Sequence, residues 1–248
     1  MLRKRLITAL TFNNGVLFRT KLFTPDYRYT QNFLDLSSID EIVVLDVTRP
    51  GQGEKENFFK TLDNVAYKSF VPITAGGGIR TLEDVREFLN LGADKVALNT
   101  GAIRNPELIT EVSKLYGSQC AVISIDAKKT EDNRYEVYSD FGSVPTGKTA
   151  VEWAREAEAL GAGEILLTSI DRDGWLQGFD LELCKEVCDA VSIPVMLLGG
   201  AGNWKHVADA FDVTNASGVC TQNIYHFTET SIQSAKSFLH KRGISVRM

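Results

Sequence analysis

Short apolar segments of strand character recur along this chain, and each but the last is followed by a loop and a segment of helical length. Their near-continuous Val, Ile and Leu content is typical of parallel strands buried on both faces. Eight such units in 248 residues favour a closed (β/α)₈ barrel, with an open doubly wound sheet as the alternative. The predicted strands are Arg5–Leu10, Glu41–Asp46, Val71–Ala75, Lys95–Leu98, Cys120–Ile125, Glu164–Thr168, Val195–Leu198 and Gly218–Thr221, and the last helix is predicted at Ser231–Lys241.

Two landmarks recur at one separation. The segment around Glu41 resembles that around Glu164, and the glycine turn at Gly77 resembles that at Gly200. Both pairs lie 123 residues apart, close to half the chain. Solenoid repeats are much shorter. The pattern therefore predicts an α/β fold, a TIM barrel built from two similar half-barrels, with residues 1–248 as one domain.

Composition and charge argue against several classes of protein. The net charge is −5, with acids and bases interspersed and no basic stripe, so a nucleic-acid partner is not expected. The first residues turn polar quickly and no apolar run approaches the roughly 18 residues of a membrane span, so we expect no signal peptide, no membrane contact and a cytoplasmic location.

The four cysteines lack zinc-knuckle spacing. Cys184 and Cys188 lie four apart on a predicted helix and would suit a metal, but no second ligand pair accompanies them. Reduced, partly buried thiols are the favoured interpretation, and the sequence predicts neither a metal nor a cofactor.

Two long segments interrupt the alternation. Phe12–Ser38 holds Asn13-Asn14-Gly15, a hairpin-type turn, and is interpreted as a mobile loop over the barrel mouth. Lys128–Gly147 contains Tyr135-Glu136-Val137-Tyr138, which predicts a small hairpin.

Glycine-rich turns follow the third and seventh predicted strands. Glycines at the C-terminal end of a barrel strand let backbone N–H groups approach a phosphate closely. Tight turning alone is the alternative, but the pattern occurs twice at symmetric positions and favours two phosphate sites. The candidate phosphate-binding residues are Gly77, Gly78, Asn99, Thr100, Gly199 and Gly200.

These motifs together resemble the cyclase subunit of imidazole glycerol phosphate synthase, in the histidine-biosynthesis group of (β/α)₈ barrels. The resemblance covers essentially the whole chain, and its most specific stretches are Gly92–Val96, Gly117–Gln119, Ile125–Lys128 and Gly161–Gly174. It implies a glutaminase subunit docked on the N-terminal barrel face and ammonia passing along the axis. It also implies lyase chemistry on a bisphosphate at the C-terminal face, giving imidazole glycerol phosphate and an aminoimidazole carboxamide ribotide.

The resemblance assigns an ammonia gate to four charged residues, Arg5, Glu41, Lys95 and Glu164. All four stand at the starts of predicted strands, so two bases and two acids can pair in a closed ring. A ring that merely caps the barrel bottom is the alternative. The resemblance also assigns Asp94 to the glutaminase interface.

The active site departs from the resemblance. The family has catalytic aspartates at the ends of strands one and five; here Asp126 is retained, but Thr11 stands at the other position. A hydroxyl has no pKa near neutrality and cannot replace a carboxylate as acid or base. Other mouth residues are kept: Asp46, Ser169 and Asp173. Further changed positions are Arg19, Trp175, Leu198, Gln222 and Asn223.

Three interpretations follow. The favoured one is a diverged relative that takes ammonia from a glutaminase and delivers it to another acceptor through an amidotransferase, such as one that amidinates a surface-polysaccharide sugar. The second is the genuine cyclase of histidine biosynthesis, and the third is a non-catalytic activator of the glutaminase. Three aromatic residues near the mouth leave three alternatives open: a patch for a partner protein, a cover for a ligand, or scattered surface aromatics. They are Trp175, Tyr27 and Phe33.

The three histidines carry little weight in these interpretations. His206 and His240 are predicted on exposed helices. His226 matches a family position after strand eight, and a packed or solvent-facing role is favoured for it.

Overall fold

A ring of eight parallel strands forms the centre of the protein in a computed structural model that describes residues 3–28, 39–222 and 232–248. The strands of the ring follow one another in chain order, and strand β7 pairs with strand β10 to continue it, so the barrel is closed. The ring strands are β1 (Arg5–Asn13), β4 (Glu41–Asp46), β5 (Ile73–Gly76), β6 (Lys95–Leu98), β7 (Ala121–Lys129), β10 (Glu164–Ser169), β11 (Val195–Leu198) and β12 (Gly218–Thr221).

Four further strands belong to hairpins that leave the ring, namely β2 (Val16–Lys21), β3 (Thr24–Arg28), β8 (Tyr135–Ser139) and β9 (Val144–Thr149). The helices lie outside the ring and are α1 (Lys55–Lys68), α2 (Leu82–Asn90), α3 (Thr100–Arg104), α4 (Glu107–Tyr116), α5 (Ala150–Ala159), α6 (Leu181–Ala190), α7 (Trp204–Val213) and α8 (Ile232–Lys241). Among the described helices, none is both long enough and apolar enough to cross a membrane.

All eight predicted ring strands are confirmed, with differences at their ends. Strands β1 and β7 run on to Asn13 and Lys129 because each continues into an antiparallel hairpin. Strand β5 begins at Ile73 rather than Val71 because Pro72 has no N–H to donate; its carbonyl instead accepts from Ile42.

The repeat seen in the sequence has a structural counterpart. Glu41 and Glu164 begin strands β4 and β10, and Gly77 and Gly200 follow strands β5 and β11. Strands β4–β5–β6 and β10–β11–β12 occupy the same order in the two halves of the ring.

The register directs every second ring residue into the lumen. The middle of the lumen is filled by an apolar layer in which each side chain is at most 1% exposed: Ile7, Ala9, Val43, Val122, Leu166, Met196 and Cys220. A larger core between the ring and the helices includes Phe58, Phe88 and Trp153. The barrel interior is thus a packed core with polar residues only at its two ends.

The segment after the first ring strand is an ordered hairpin over its described length. Asn14 and Gly15 both have positive φ, as a two-residue hairpin turn requires, so the turn prediction is confirmed. The prediction of a mobile loop is wrong for residues 12–28, which pair as strands β1, β2 and β3. The rest of the predicted loop lies outside the described residues.

The second excursion is also confirmed as a hairpin. Strand β8 pairs antiparallel with both β7 and β9, which extends the excursion to Thr149. The Thr149 side chain then caps helix α5 and accepts from the Glu152 N–H, so hairpin and helix are joined without a loop.

Candidate functional site

A closed ring of four charges occupies the floor of the barrel. Arg5 Nη1 lies 2.7 Å from Glu41 Oε2 and 3.1 Å from Glu164 Oε1. Lys95 Nζ lies 3.0 Å from a carboxylate oxygen of each of the same two glutamates. Each charge therefore contacts two of opposite sign, as the sequence predicted from the four strand starts.

On the side that faces the lumen, the ring is shielded from solvent. Glu41 is 2% exposed and accepts a further hydrogen bond of 2.8 Å from the Thr74 hydroxyl. The Cys220 thiol lies in the apolar layer above, where burial raises its pKa and the neighbouring glutamates raise it further. The charges are thus satisfied by one another rather than by water, which offsets the cost of burying them.

Asp94, predicted at a partner interface, lies at the same end of the barrel. Its carboxylate accepts from the Ile73 N–H at 2.8 Å, and its own N–H donates to the Ile73 carbonyl at 2.9 Å. The side chain is exposed. Asp94 therefore fixes the start of strand β5 from an exposed position.

Large apolar side chains stand exposed around this floor. Tyr67 lies in the last turn of helix α1, Phe70 in the connection from α1 to strand β5, and Leu115 in the last turn of helix α4. Phe70 is 96% exposed and Tyr67 is 89% exposed. Exposed aromatic side chains are enriched at interaction surfaces. These residues could not be predicted, since exposure cannot be deduced from residue type.

A cavity of about 180 Å³ opens at the opposite end, where the ring strands finish. Most of the predicted mouth residues line it, which brings together the ends of strands β1, β4, β5, β6, β7 and β10. Its polar lining consists mainly of Thr11, Thr20, Asp46, Gly77, Gly78, Arg80, Asn99, Thr100, Gly101, Ser124, Asp126, Asp140, Thr168 and Asp173.

Asp126 is positioned at the end of strand β7 facing the cavity. Asn99 Nδ2 donates to its Oδ2 at 3.0 Å. Burial raises the pKa of Asp126 to about 7, and the charge of Asp173 raises it too, whereas hydrogen bonds from Thr168 and Ser124 oppose the rise. A carboxyl group that titrates near neutrality can both donate and accept a proton, so Asp126 suits general acid–base work.

The Thr11 hydroxyl forms hydrogen bonds with neighbouring groups of the protein. Its hydroxyl donates to the Phe18 carbonyl on strand β2 and accepts from Gln222 Nε2 at 3.0 Å. The same Gln222 nitrogen donates to the Phe18 carbonyl. These bonds join the ends of the first and last ring strands to the β2–β3 hairpin. The position at which the family has a catalytic aspartate therefore has a structural role here.

Asp173 fastens the tip of the β2–β3 hairpin over the cavity. Its carboxylate accepts from the Phe23 N–H at 3.0 Å and from the Thr20 hydroxyl at 3.1 Å, and its carbonyl accepts from the Leu22 N–H. Leu22 and Phe23 both have positive φ, which bulky residues adopt at a cost. Burial raises the pKa of Asp173 despite these bonds. The anchor holds a strained turn and places Phe23 against the cavity.

The first predicted phosphate site lies in the cavity lining. Gly77 has φ +124°, and a Cβ there would come within 2.5 Å of Asp46 Cβ, so only glycine fits; Gly78 faces open space. Asp46 is held by Thr48, which donates to it through both its N–H and its hydroxyl, while burial raises its pKa. The Thr100 hydroxyl accepts from the Asp140 N–H at 2.9 Å.

Arg80 was missed by the sequence analysis. It follows the glycine turn and its exposed side chain contributes a positive charge to a lining that is otherwise acidic. The signal available was its position two residues after Gly78, where a cation can reach an anion bound at the turn.

The second predicted phosphate site is not brought into the cavity. Gly199 and Gly200 are absent from its described lining, where only the apolar Leu198 represents strand β11. Gly178 N–H donates to the Gly200 carbonyl at 2.7 Å, and a Cβ at Gly200 would come within 2.2 Å of the Gly178 carbonyl oxygen. The loop after strand β10 therefore covers these glycines, which here serve close packing.

Several other predicted residues have roles different from those expected. Ser169 is buried outside the cavity. His206 is half-buried rather than exposed, and its Nδ1 accepts from the Gly202 N–H at 3.2 Å. Trp175 is 42% exposed beneath the Lys21 ammonium, 4.7 Å from its ring centre. Further predicted residues lie outside the described side chains: Tyr27, Tyr29, Phe33, Asn223 and His226.

The cysteines and the remaining histidine fit the predictions more closely. All four cysteines are free and buried, more fully than expected. His240 is exposed on helix α8, as predicted.

Comparison with known families agrees with the fold and the motifs. Residues 9–231 match the family model described as histidine biosynthesis protein, which spans most of the chain. The match covers seven of the ring strands fully and part of the first, together with the mouth and three of the four charges of the floor ring. By this match and its closed eight-stranded barrel, the chain belongs to the histidine biosynthesis protein family.

Proposed function

We propose that this chain is the ammonia-receiving barrel of a glutamine amidotransferase complex, and that it delivers the ammonia to an acceptor outside histidine biosynthesis. The observation that carries the proposal is the closed floor ring of Arg5, Glu41, Lys95 and Glu164. Two of these charges, Glu41 and Glu164, are buried and the two cations are half-buried. Well-packed apolar side chains would stabilise the floor at least as well, so a functional role accounts for the ring better than stability does.

The surface around the ring supports a protein partner at this end. Phe70 and Tyr67 project almost fully exposed, and the exposed Asp94 directly precedes strand β6 at the same end of the barrel. Aromatic side chains in an exposed apolar patch, with charges at its margin, are the composition of a typical protein interface. A glutaminase subunit docked here would release ammonia directly below the ring, on its outer side.

The residues at the barrel mouth bear on where the ammonia goes. Asp126 has the geometry and the raised pKa of an acid–base group, but the opposite position carries Thr11, whose hydroxyl is engaged by Phe18 and Gln222. A ring closure that needs two carboxyl groups would lose one contribution, and general acid–base catalysis is typically worth 10²–10⁴-fold in rate. Transfer of ammonia to another acceptor, through an amidotransferase at the mouth, needs no second carboxylate.

Two other functions are distinguished by particular residues. The cyclase of histidine biosynthesis is supported by Asp126 and by the glycine turn at Gly77–Gly78, and opposed by Thr11 and the covered turn at Gly199–Gly200. A non-catalytic activator of the glutaminase would need the interface but not a floor ring that lies in line with the lumen, so the ring disfavours it.

The partner claim is tested by sedimentation of the purified chain with a class-I glutaminase from the same organism. We expect a one-to-one complex and faster glutamine hydrolysis than by the glutaminase alone. Phe70→Asp should abolish the complex, since it places a charge in the apolar patch, whereas Trp175→Asp at the opposite end of the barrel should leave it intact. Absence of a complex with the unaltered chain would refute the proposal.

The acceptor claim is tested by a cyclase assay with the bisphosphate substrate and ammonium salts. We expect no turnover by the unaltered chain. Turnover at a rate typical of enzymes, abolished by Asp126→Asn, would show that the chain is a cyclase and that Thr11 is compatible with ring closure.

A further inference from the structure

Two turns beside the barrel mouth carry exposed apolar side chains. Leu22 lies at the tip of the β2–β3 hairpin and is 45% exposed, and Trp175 lies in the loop after strand β10 and is 42% exposed. The two turns are in contact, because a Cβ at Gly174 would collide with the Thr20 carbonyl oxygen. The Leu22 N–H also donates to the Asp173 carbonyl. Leu22 and Trp175 therefore belong to one surface.

This surface continues onto the turn between strands β8 and β9. Phe23 packs against that turn, since a Cβ at Gly142 would lie 2.9 Å from the Phe23 ring. Phe23 and Phe141 also line the cavity, so the surface borders the opening of the barrel. We call it the mouth surface and define it by its exposed and half-buried apolar side chains, which are Leu22, Phe23, Phe141, Val144 and Trp175.

The backbone of these turns has a conformation that suits glycine, yet bulky residues adopt it. The positive φ angles are +50° at Leu22, +61° at Phe23, +59° at Phe141 and +59° at Leu176. Such conformations cost a bulky residue free energy and are concentrated at functional sites. Leu22 gains little burial in return. A contact made outside this chain therefore accounts for the exposed side chains better than packing within it does.

Two cations lie over aromatic rings of the mouth surface. Lys21 Nζ is 4.7 Å from the centre of the Trp175 ring, and the guanidinium carbon of Arg49 is 5.7 Å from the centre of the Phe141 ring. Within the part of the chain that the structure describes, neither cation has a carboxylate at ion-pair distance. Stacking on a ring holds each positive charge in place without neutralising it.

Carboxylates of the two hairpins are engaged within the chain. Asp26 on strand β3 pairs with Arg19, and Asp140 in the β8–β9 turn pairs with Arg104 at 2.9 Å. Asp173 accepts hydrogen bonds from the β2–β3 hairpin. The charge that these contacts leave on the mouth surface is positive, so it is complementary to an acidic surface.

We infer that the mouth surface is the docking site of the enzyme that consumes the ammonia, and that this enzyme presents an acidic face with apolar recesses for Leu22 and Trp175. The inference rests on the proposed function, in which ammonia leaves the barrel at the mouth. An amine nitrogen is protonated in water at neutral pH and is then no nucleophile. An enzyme docked on the border of the cavity receives the ammonia before bulk water does.

A second copy of this chain is a poorer occupant of the mouth surface. A symmetric dimer places the same patch of both copies face to face. Lys21 and Arg49 of one copy would then face the same two cations of the other, and like charges in an interface repel.

Photocrosslinking in cells of the source organism tests the location. The photoreactive residue p-benzoylphenylalanine replaces Trp175 in one variant, Phe70 at the floor in a second, and Glu111, which is exposed on helix α4, in a control. Captured proteins are identified by mass spectrometry. We expect the Phe70 position to capture the glutaminase, the Trp175 position to capture one other protein, and the control position to capture neither.

The captured protein must also consume the ammonia. It is purified, mixed with this chain and the glutaminase, and given glutamine labelled with ¹⁵N in the amide, unlabelled ammonium at equal concentration and a small-molecule extract of the same cells as the source of the acceptor. We expect a product whose new nitrogen is predominantly ¹⁵N. A product labelled only to the level of the free ammonium, or no product, would overturn the inference.

Two crosslinking results would also overturn it. One is capture of a second copy of this chain by the Trp175 position. The other is no capture by that position in cells where the Phe70 position captures the glutaminase. Failure of the Phe70 position to capture a glutaminase would instead refute the proposed function at the floor, so the two failures are distinguishable.

Substitutions then separate the apolar contact from the charge contact. Trp175→Asp and Lys21→Glu should each raise the Kd for the captured enzyme by about tenfold, because the first removes an aromatic anchor and the second reverses a charge. Lys21→Arg should retain binding, and Lys60→Glu, which reverses an exposed cation on helix α1, is the matched control. Stimulation of the glutaminase by each variant reports that the barrel is folded. An unchanged Kd in both Trp175→Asp and Lys21→Glu would show that the enzyme docks elsewhere.

Discussion

Replacement of Glu41 by alanine tests the floor ring directly. The carboxylate is 2% exposed and accepts from Arg5 at 2.7 Å, Lys95 at 3.0 Å and the Thr74 hydroxyl at 2.8 Å. Removing it leaves two cations with one shared carboxylate, that of Glu164, and leaves a buried hydroxyl without its acceptor. Breaking a buried ion pair costs about 3–5 kcal/mol. We expect about 3 kcal/mol, because Glu164 still contacts both cations.

Thermal denaturation followed by circular dichroism measures the effect. In a chain of this length, 1 kcal/mol corresponds to roughly 2–4 °C in Tm, so Glu41→Ala should lower Tm by about 6–12 °C. Glu83→Ala is the matched control, since its pair with Arg86 is exposed on helix α2 and such pairs contribute about 0.2–1 kcal/mol.

The contrast between the two variants decides whether the ring is a closed, dehydrated network. Added salt should reduce the decrease in Tm caused by Glu83→Ala and leave the decrease caused by Glu41→Ala nearly unchanged. The reason is that exposed ion pairs are screened far more than buried ones. If Glu41→Ala destabilises no more than the control, the ring charges are solvated individually. They would then not form a closed network at the floor.

Three further predictions concern the mouth. The carboxyl carbon of Asp126 should titrate near pH 7 by NMR; because burial raises its pKa, the fold loses stability as the pH rises through that value, and Asp126→Asn should remove this loss. Thr11→Asp should lower Tm, since a carboxylate cannot donate to the Phe18 carbonyl and repels it, and an unchanged Tm would contradict the bond assigned there. Gly202→Ala should destabilise the protein in urea unfolding more than Gly147→Ala, because the Cβ at Gly202 would meet a carbonyl oxygen at 2.0 Å. At Gly147 the Cβ meets open space, and only the strain of its φ of +76° opposes the change. Equal effects would mean that the covering loop moves aside to accept the methyl group.

The ring strands and the floor could be predicted because their causes are local and periodic. Strand β10 carries Ile165, Leu166 and Leu167 in succession, a run that indicates burial on both faces. The four floor charges were assigned by the family resemblance, and their positions at strand starts agree with it, because parallel strands of one barrel begin at the same end.

The mouth could not be predicted in the same way, because its contacts depend on loop paths and rotamers. Leu22 and Phe23 form a turn without glycine or asparagine, so no turn signal is present. The turn is held by Asp173, which lies in the loop after strand β10. The pairing of His206 with the Gly202 N–H follows from one side-chain rotamer. Glycines with a phosphate-site pattern at Gly199–Gly200 serve backbone packing instead, and the pattern alone cannot distinguish the two uses.

The apolar layer at mid-barrel is a barrier to ions along the barrel axis. Among the described lumen residues, the layer from Ile7 to Cys220 offers at most a thiol to carry a proton, and its members are at most 1% exposed. An ion entering it would lose its hydration at a cost on the order of several kcal/mol, whereas a small neutral molecule would not. If ammonia crosses from floor to mouth as proposed, it therefore passes this layer as the neutral molecule rather than as ammonium.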